Sequence, residues 1–135
     1  MRETSSALET EAIGEELGRR LRNGDLVLLK GELGAGKTTL VRGMAKGSGS
    51  AAPVTSPTFQ LVRVYPGRVQ LAHVDLYRLE NGEEVRDLGL EELLDQGAVV
   101  VEWGDRLAGA EGALISIEHL GGDRRRLRIE RDLNH

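Results

Sequence analysis

Apolar positions first recur at helical spacing at Ile13, Leu17 and Leu21, with Glu15, Glu16, Arg19 and Arg20 on the opposite side. Just before them, Ser6-Ala7-Leu8-Glu9 has the spacing of a capping box, and Thr10 offers a second N-cap. A helix therefore starts here, and Asn23-Gly24 is placed to end it. The pattern then changes. Leu26-Val27-Leu28-Leu29 is apolar at every position, the signature of a strand covered on both faces of a parallel sheet. Helical spacing returns at Leu40, Val41 and Met44. Between the two lies a glycine-rich stretch, residues 31–36, so the order is strand, glycine loop, helix.

Residues 47–53, Gly-Ser-Gly-Ser-Ala-Ala-Pro, read as the most linker-like part of the chain. Residues 59–65 and 68–75 predict a hairpin joined by Pro66-Gly67. A Glu- and Leu-rich helical region runs from Asn81-Gly82 through Leu94. Residues 98–101, Ala-Val-Val-Val, form a second wholly apolar strand. Residues 113–120 and 125–132 predict a last hairpin across Gly121-Gly122. Strands alternating with helices, and continuous rather than alternating apolar runs, predict an α/β fold. Its central sheet is expected to be largely parallel and flanked by helices, with the late hairpin adding antiparallel strands at the edge.

The chain has 135 residues and no internal repeat, which fits one domain of the usual roughly 100–200 residues. Eighteen basic against 22 acidic side chains leave a net charge of −4, which argues against an autonomous nucleic-acid binder. A nucleic-acid pathway reached through a partner stays open. The absence of cysteine excludes disulfides, thiolate zinc sites and thiol catalysis. No apolar run approaches the roughly 20 residues of a membrane span. The first residues, MRETSSALETEAIGEE, carry acids where a signal peptide needs a basic and then an apolar stretch. The expectation is a cytoplasmic protein without membrane association.

The strongest chemical signal is Gly31-Glu32-Leu33-Gly34-Ala35-Gly36-Lys37-Thr38, which fits G-x-x-x-x-G-K-[ST] at every fixed position. Glycines let such a loop wrap so that successive backbone N–H groups face phosphate oxygens. The helix that follows adds the positive end of its dipole. Lys37 supplies a point charge to the terminal phosphates, and the Thr38 hydroxyl suits Mg²⁺. The motif predicts a single P-loop NTPase-like domain over residues 1–135.

Such a site also needs an acid near Mg²⁺ and a group that orients the nucleophile. Acids at the carboxyl ends of apolar strands are the natural candidates. Glu102 follows residues 98–101, and Asp75 ends residues 68–75. Spacing alone does not assign their roles, and either is equally an exposed carboxylate at a strand exit. Thr58, in Thr55-Ser56-Pro57-Thr58-Phe59, suits a loop that closes on a γ-phosphate, or an ordinary polar loop. His73 is a packed or hydrogen-bonded strand histidine, or else a ligand or base. Trp103 walls the site or packs. Arg124-Arg125-Arg126 is a solvated turn, or a group that reaches nucleotide or partner. GTP is disfavoured because no N-K-x-D occurs, and Asp75-Leu76-Tyr77-Arg78 is not D-x-x-G. ATP is the expected nucleotide.

Four segments, taken together, resemble one family. GELGAGKTTLVRG (31–43), SPTF (56–59), HVDLYRL (73–79) and EWGDR (102–106) stand in the order and spacing of the TsaE (YjeE-like) family, bacterial P-loop ATPases of tRNA threonylcarbamoyladenosine biosynthesis. Thr10-x-x-Ile13-Gly14 is similar to the family's T-x-x-L-G stretch. The P-loop alone is widely shared, whereas SPTF with HxDLYR and EW is specific. The match is loosest in the C-terminal hairpin, and at 102–106 a glycine stands where proline often follows the tryptophan.

The resemblance implies that Leu33, Gly34, Ala35, Gly36, Lys37, Thr38 and Thr39 hold the phosphates of ATP. It implies that Thr38 and Glu102 coordinate Mg²⁺, that Asp75 is the catalytic carboxylate, that Lys37 is also catalytic, and that Thr58 acts in catalysis as a switch-like residue. Trp103 would border the nucleotide, and Ala7 and Gly122 would flank its base. The implied partners are TsaD and TsaB, which perform the transfer to tRNA. ATP hydrolysis would support their turnover, be weak without them, and meet tRNA only through that complex. Two other readings of the residues remain. One is a small-molecule kinase with Asp75 as base and arginines near Arg125 as lid. The other is a nucleotide-gated binding module that hydrolyses negligibly.

Overall fold

The computed structural model describes residues 1–32, 36–51, 62–75, 89–102 and 112–133. The chain opens with a short strand, β1 (Arg2–Thr4), that no hydrophobic pattern announces, because only Thr4 is buried. Ser6 then caps α1 (Ala7–Arg20), its hydroxyl accepting from the Glu9 N–H at 3.2 Å. The Glu9 carboxylate reaches back to the Ser5 N–H, so the capping-box exchange is present with its return bond one residue early. Glu9 in the first turn and Arg19 and Arg20 in the last complement the helix dipole. α1 stops at Arg20, ahead of Asn23-Gly24, and Gly24 (φ 91°) makes the turn into the next strand.

The remaining elements are β2 (Leu26–Lys30), α2 (Lys37–Gly47), β3 (Val62–Tyr65), β4 (Gln70–Asp75), α3 (Leu90–Gln96), β5 (Gly97–Glu102), β6 (Ala113–Gly121) and β7 (Arg124–Arg131). Both predicted hairpins form, as β3–β4 and β6–β7, residues 59–61 of the first lying outside the described residues. Of the helical region expected from Asn81, residues 81–88 lie outside the described residues. The described part is α3, which continues past Leu94 to Gln96.

The seven strands among the described residues belong to one sheet in the order β1-β7-β6-β2-β5-β4-β3. β6, β2, β5 and β4 are mutually parallel, and β7, β1 and β3 are antiparallel to their neighbours. The α/β fold with a largely parallel centre is as predicted. The late hairpin is not itself the edge: β6 joins the parallel core, and β1 covers β7.

The continuous apolar strands lie where both sheet faces are covered. Val27 and Leu29 of β2 and Ala98 and Val100 of β5 join Ile13, Leu17, Leu40, Val41 and Met44 of α1 and α2 in one core. Leu26, Leu28, Val99 and Val101 point the other way, against Leu90, Leu93 and Leu94 of α3. Each fully buried Leu or Val contributes roughly 1.5–3 kcal/mol, so β2 and β5 are the strands least free to shift register.

α1 and α2 pack unusually close. A Cβ at Gly14 would lie 2.2 Å from the Leu40 carbonyl oxygen, and one at Gly18 2.2 Å from that of Met44. In return, a Cβ at Gly43 would lie 2.0 Å from the Glu11 oxygen, and one at Gly47 2.2 Å from that of Glu15. Two Gly-x-x-x-Gly stripes thus face each other, backbone to backbone. Residues 47–50, expected to be linker-like, are part of this packing. Ser48 and Ser50 are buried, the Ser48 hydroxyl donates to the Ala45 carbonyl at 2.9 Å, and a Cβ at Gly67 would strike the Ser48 oxygen at 2.6 Å. Small residues occur here because the end of α2 passes against the β3–β4 turn. Residues 52 and 53 lie outside the described residues.

Candidate functional site

The parallel register brings three strand ends together. Leu29, next to the end of β2, pairs with Glu102 at the end of β5, and Glu102 pairs with Asp75 at the end of β4. The chain leaves β2 at Lys30 and Gly31, and Gly36 is the N-cap of α2. The start of α2 therefore stands at the carboxyl edge of the sheet, where open α/β folds hold their ligands. Side-chain alternation sets the face. Leu71, Val100 and Leu29 belong to the core under α1 and α2. His73, Asp75 and Glu102, each in step with one of these residues, point toward the same side as α2.

Gly36 has φ 101°, a left-handed conformation that glycine adopts without cost, and it makes no side-chain cap. Lys37 is only 5% exposed, and its Nζ donates to the Gly31 carbonyl at 2.6 Å. The lysine side chain thus reaches back to Gly31, the residue just after β2. Thr38 and Thr39 are half-buried in the first turn of α2.

Glu102 is 4% exposed, an expensive position for a carboxylate unless it is partnered. The partner is His73, itself fully buried, whose Nε2 lies 3.0 Å from Glu102 Oε2. His73 Nδ1 is buried and has no hydrogen-bond partner among the described residues. Of the two alternatives left by the sequence, His73 is thus the packed, hydrogen-bonded strand histidine, but its partner is a site acid.

The other side of the site is built by an element the sequence did not reveal. Thr4 of β1 pairs with Arg125 of β7, which places the β7 start beside the start of α1, where Ala7 is the first helical residue. Arg125 Nη1 donates to the Gly122 carbonyl at 2.8 Å and to that of Arg124 at 3.0 Å, and its Nε lies 3.2 Å from where a Gly36 Cβ would be. His119 Nε2 is also 2.9 Å from the Gly122 oxygen. Arg125, read from sequence as a turn residue or a nucleotide contact, links the β6–β7 turn to the glycine loop.

The structure thus brings Gly36, Lys37, Thr38, Thr39, Asp75 and Glu102 to one edge, with Gly122 joined to it through Arg125 and Ala7 at the start of the neighbouring α1. Leu33, Gly34, Ala35, Thr58 and Trp103 lie outside the described residues. Mg²⁺ fits the donors present: a threonine hydroxyl and a glutamate oxygen are hard ligands of the kind it takes alongside phosphate oxygens. Among the described residues no group of three His, Cys, Asp or Glu side chains forms a self-sufficient metal cage.

A parallel core, a lysine-led helix after its first strand and acids on the adjoining strand ends define a P-loop-like α/β fold of the nucleotide-binding class. The chain belongs to the TsaE family: the family model for threonylcarbamoyl adenosine biosynthesis protein TsaE matches residues 4–130. Relatives named tRNA threonylcarbamoyladenosine biosynthesis protein TsaE include one from Streptomyces coelicolor, 50% identical over 123 residues, covering 88% of this chain and 77% of the relative. The Bacillus subtilis relative of the same name is 40% identical over 124 residues, covering 88% and 77%. The crystal structure of YdiB from Bacillus subtilis superposes with a TM-score of 0.73 at 33% identity, covering 93% of this chain and 80% of that one. No helix among the described residues is long and apolar enough to cross a membrane.

Proposed function

We propose that this protein is a Mg²⁺-dependent ATPase that acts in the threonylcarbamoyladenosine modification of tRNA, in the cytoplasm, by supporting the turnover of a TsaD–TsaB complex. The observation that carries the nucleotide part is the alignment of strand ends, Leu29 with Glu102 and Glu102 with Asp75, beneath a helix opened by buried Lys37. The names of the relatives support the tRNA part.

In this reading the loop from Gly31 to Gly36 and residues Lys37, Thr38 and Thr39 bind the phosphates. Lys37 exchanges its bond to the Gly31 carbonyl for phosphate oxygens, so it needs no long movement to reach its task. Thr38 and Glu102 hold Mg²⁺, which when bound offsets the charge on the terminal phosphates. Asp75 is the carboxylate that orients or deprotonates the attacking water, and Thr58 closes over the γ-phosphate. Trp103 borders the nucleotide, and Ala7 and Gly122 flank the base. Two carboxylates on neighbouring strands serve distinct roles because their surroundings differ: Glu102 is buried against His73, whereas Asp75 is only half-buried.

The −4 net charge suits a subunit that meets tRNA through its partners rather than directly. The test is phosphate release from Mg-ATP by the protein alone and with purified TsaD and TsaB. Slow release alone that rises with the pair is the expected result. Release that depends instead on an added small-molecule acceptor overturns the reading in favour of a kinase.

A further inference from the structure

We infer that His73 is a positioning residue that fixes how Glu102 presents its carboxylate to the bound cation. The proposal rests on the reading of Glu102 as a Mg²⁺-holding group. Three observations support it. His73 is fully buried, its Nε2 is 3.0 Å from Glu102 Oε2, and its Nδ1 has no hydrogen-bond partner among the described residues. A histidine kept only for packing has no need to bury an unpartnered ring nitrogen, which costs about 1–3 kcal/mol. An apolar residue of similar size would fill the space without that penalty. What the imidazole supplies is a donor to Glu102.

A carboxylate that holds a cation only accepts, so in this reading Nε2 carries the N–H that Glu102 receives. Oε2 takes the His73 hydrogen bond, which would hold the carboxylate in one orientation and leave its remaining lone pairs for the cation. The backbone enforces the pairing. His73 is registered with Val100, and Asp75 with Glu102, on adjacent parallel strands. A single strand, β4, thus carries both the group that orients Glu102 and the carboxylate assigned to the nucleophile. Their relative placement is set by the sheet rather than by a loop. Groups that orient a metal-holding side chain typically change cation affinity 10–100-fold when removed.

The test is Mn²⁺ affinity in the protein–ADP complex, read by the loss of the free-ion electron paramagnetic resonance signal. His73→Leu removes the donor, His73→Gln keeps an N–H near the Nε2 position, and Glu102→Gln is the reference. Metal-free ADP affinity and urea unfolding are measured in parallel. The expected result is at least a tenfold loss of Mn²⁺ affinity in His73→Leu, with substantial recovery in His73→Gln and unchanged metal-free ADP binding.

If Glu102→Gln weakens Mn²⁺ binding while both His73 variants match wild type, the positioning role is refuted and the metal reading survives. If Glu102→Gln leaves Mn²⁺ affinity unchanged, the metal reading itself fails, and the positioning proposal with it. Should His73→Leu not fold, the ring nitrogens of the intact protein decide. Two-bond ¹H–¹⁵N correlations are expected to show an Nε2–H tautomer that shifts on adding Mg-ADP. An Nδ1–H tautomer, or no response to Mg-ADP, overturns the proposal.

Discussion

Replacing Gly43 by alanine adds one methyl group to a helix, a change that intrinsic propensity alone makes stabilising by roughly 1 kcal/mol. The packing of α1 on α2 reverses that sign. The new Cβ would lie 2.0 Å from the Glu11 carbonyl oxygen, 2.8 Å from the Glu15 nitrogen and 2.9 Å from the Glu11 carbon. All three are backbone atoms and none can rotate away. Ordinary contact begins at 3.4 Å, so the helices must part by about 1.4 Å at this point. A radial gap of 0.5–1 Å already forfeits about a quarter to a half of each dispersion well. The contact is also repeated at Gly14, Gly18 and Gly47. Overpacking of this kind costs about 1–3 kcal/mol. Because the obstacle is rigid on both sides, the upper end applies, and it outweighs the propensity gain. The net expectation is a loss of about 2 kcal/mol, or roughly 8 °C in Tm for a chain of this length. Urea unfolding followed by circular dichroism measures it directly. Gly14→Ala together with Gly43→Ala is expected to cost less than the sum, since a parted interface admits the second methyl more easily. A Gly43→Ala protein more stable than wild type would refute the close-approach argument and leave only propensity.

Arg68 donates to the carbonyls of Leu21, Gly18 and Arg19 at 3.3, 3.2 and 3.2 Å, tying the β3–β4 turn to the end of α1. Arg68→Ala is expected to lower stability by about 1–2 kcal/mol in urea unfolding, with Arg68→Lys recovering little because one ammonium cannot reproduce the fork. The buried Thr4 and Thr10 hydroxyls are 2.7 Å apart. Thr10→Val alone leaves the Thr4 hydroxyl unmatched and is expected to cost about 1–3 kcal/mol, whereas Thr4→Val with Thr10→Val should be closer to neutral in the same assay.

What the sequence discloses and what it hides follow from the range of the interactions. The Ser6 cap, the α1 stripe at Ile13 and Leu17, and the apolar runs of β2 and β5 are local patterns, and all were legible. β1 was not. A strand with one inward residue has no period to detect, yet it pairs Thr4 with Arg125, whose side chain lies beside Gly36. Residues 47–50 read as flexible because Gly and Ser are also linker residues. Here they are small because Glu15, Arg68 and Gly67 crowd them. Gly34–Lys37 and the acids Asp75 and Glu102 were recognisable as candidates, whereas the partnership of Glu102 with His73 was not. It joins residues separated by 29 positions, and only the parallel register of β4 with β5 creates it.

The central claim is that a nucleotide site headed by Lys37 drives repeated rounds of tRNA modification. It is tested most directly by multiple-turnover formation of threonylcarbamoyladenosine on tRNA by TsaD and TsaB, with limiting amounts of this protein, Mg-ATP and the activated threonylcarbamoyl donor. The account predicts that wild-type protein sustains many rounds. Lys37→Ala, folded but unable to hold phosphates, should stop after about one round per complex, since removing the lysine takes away the charge that fixes the β- and γ-phosphates. Equal turnover with Lys37→Ala and wild type, or with no added protein at all, would contradict it.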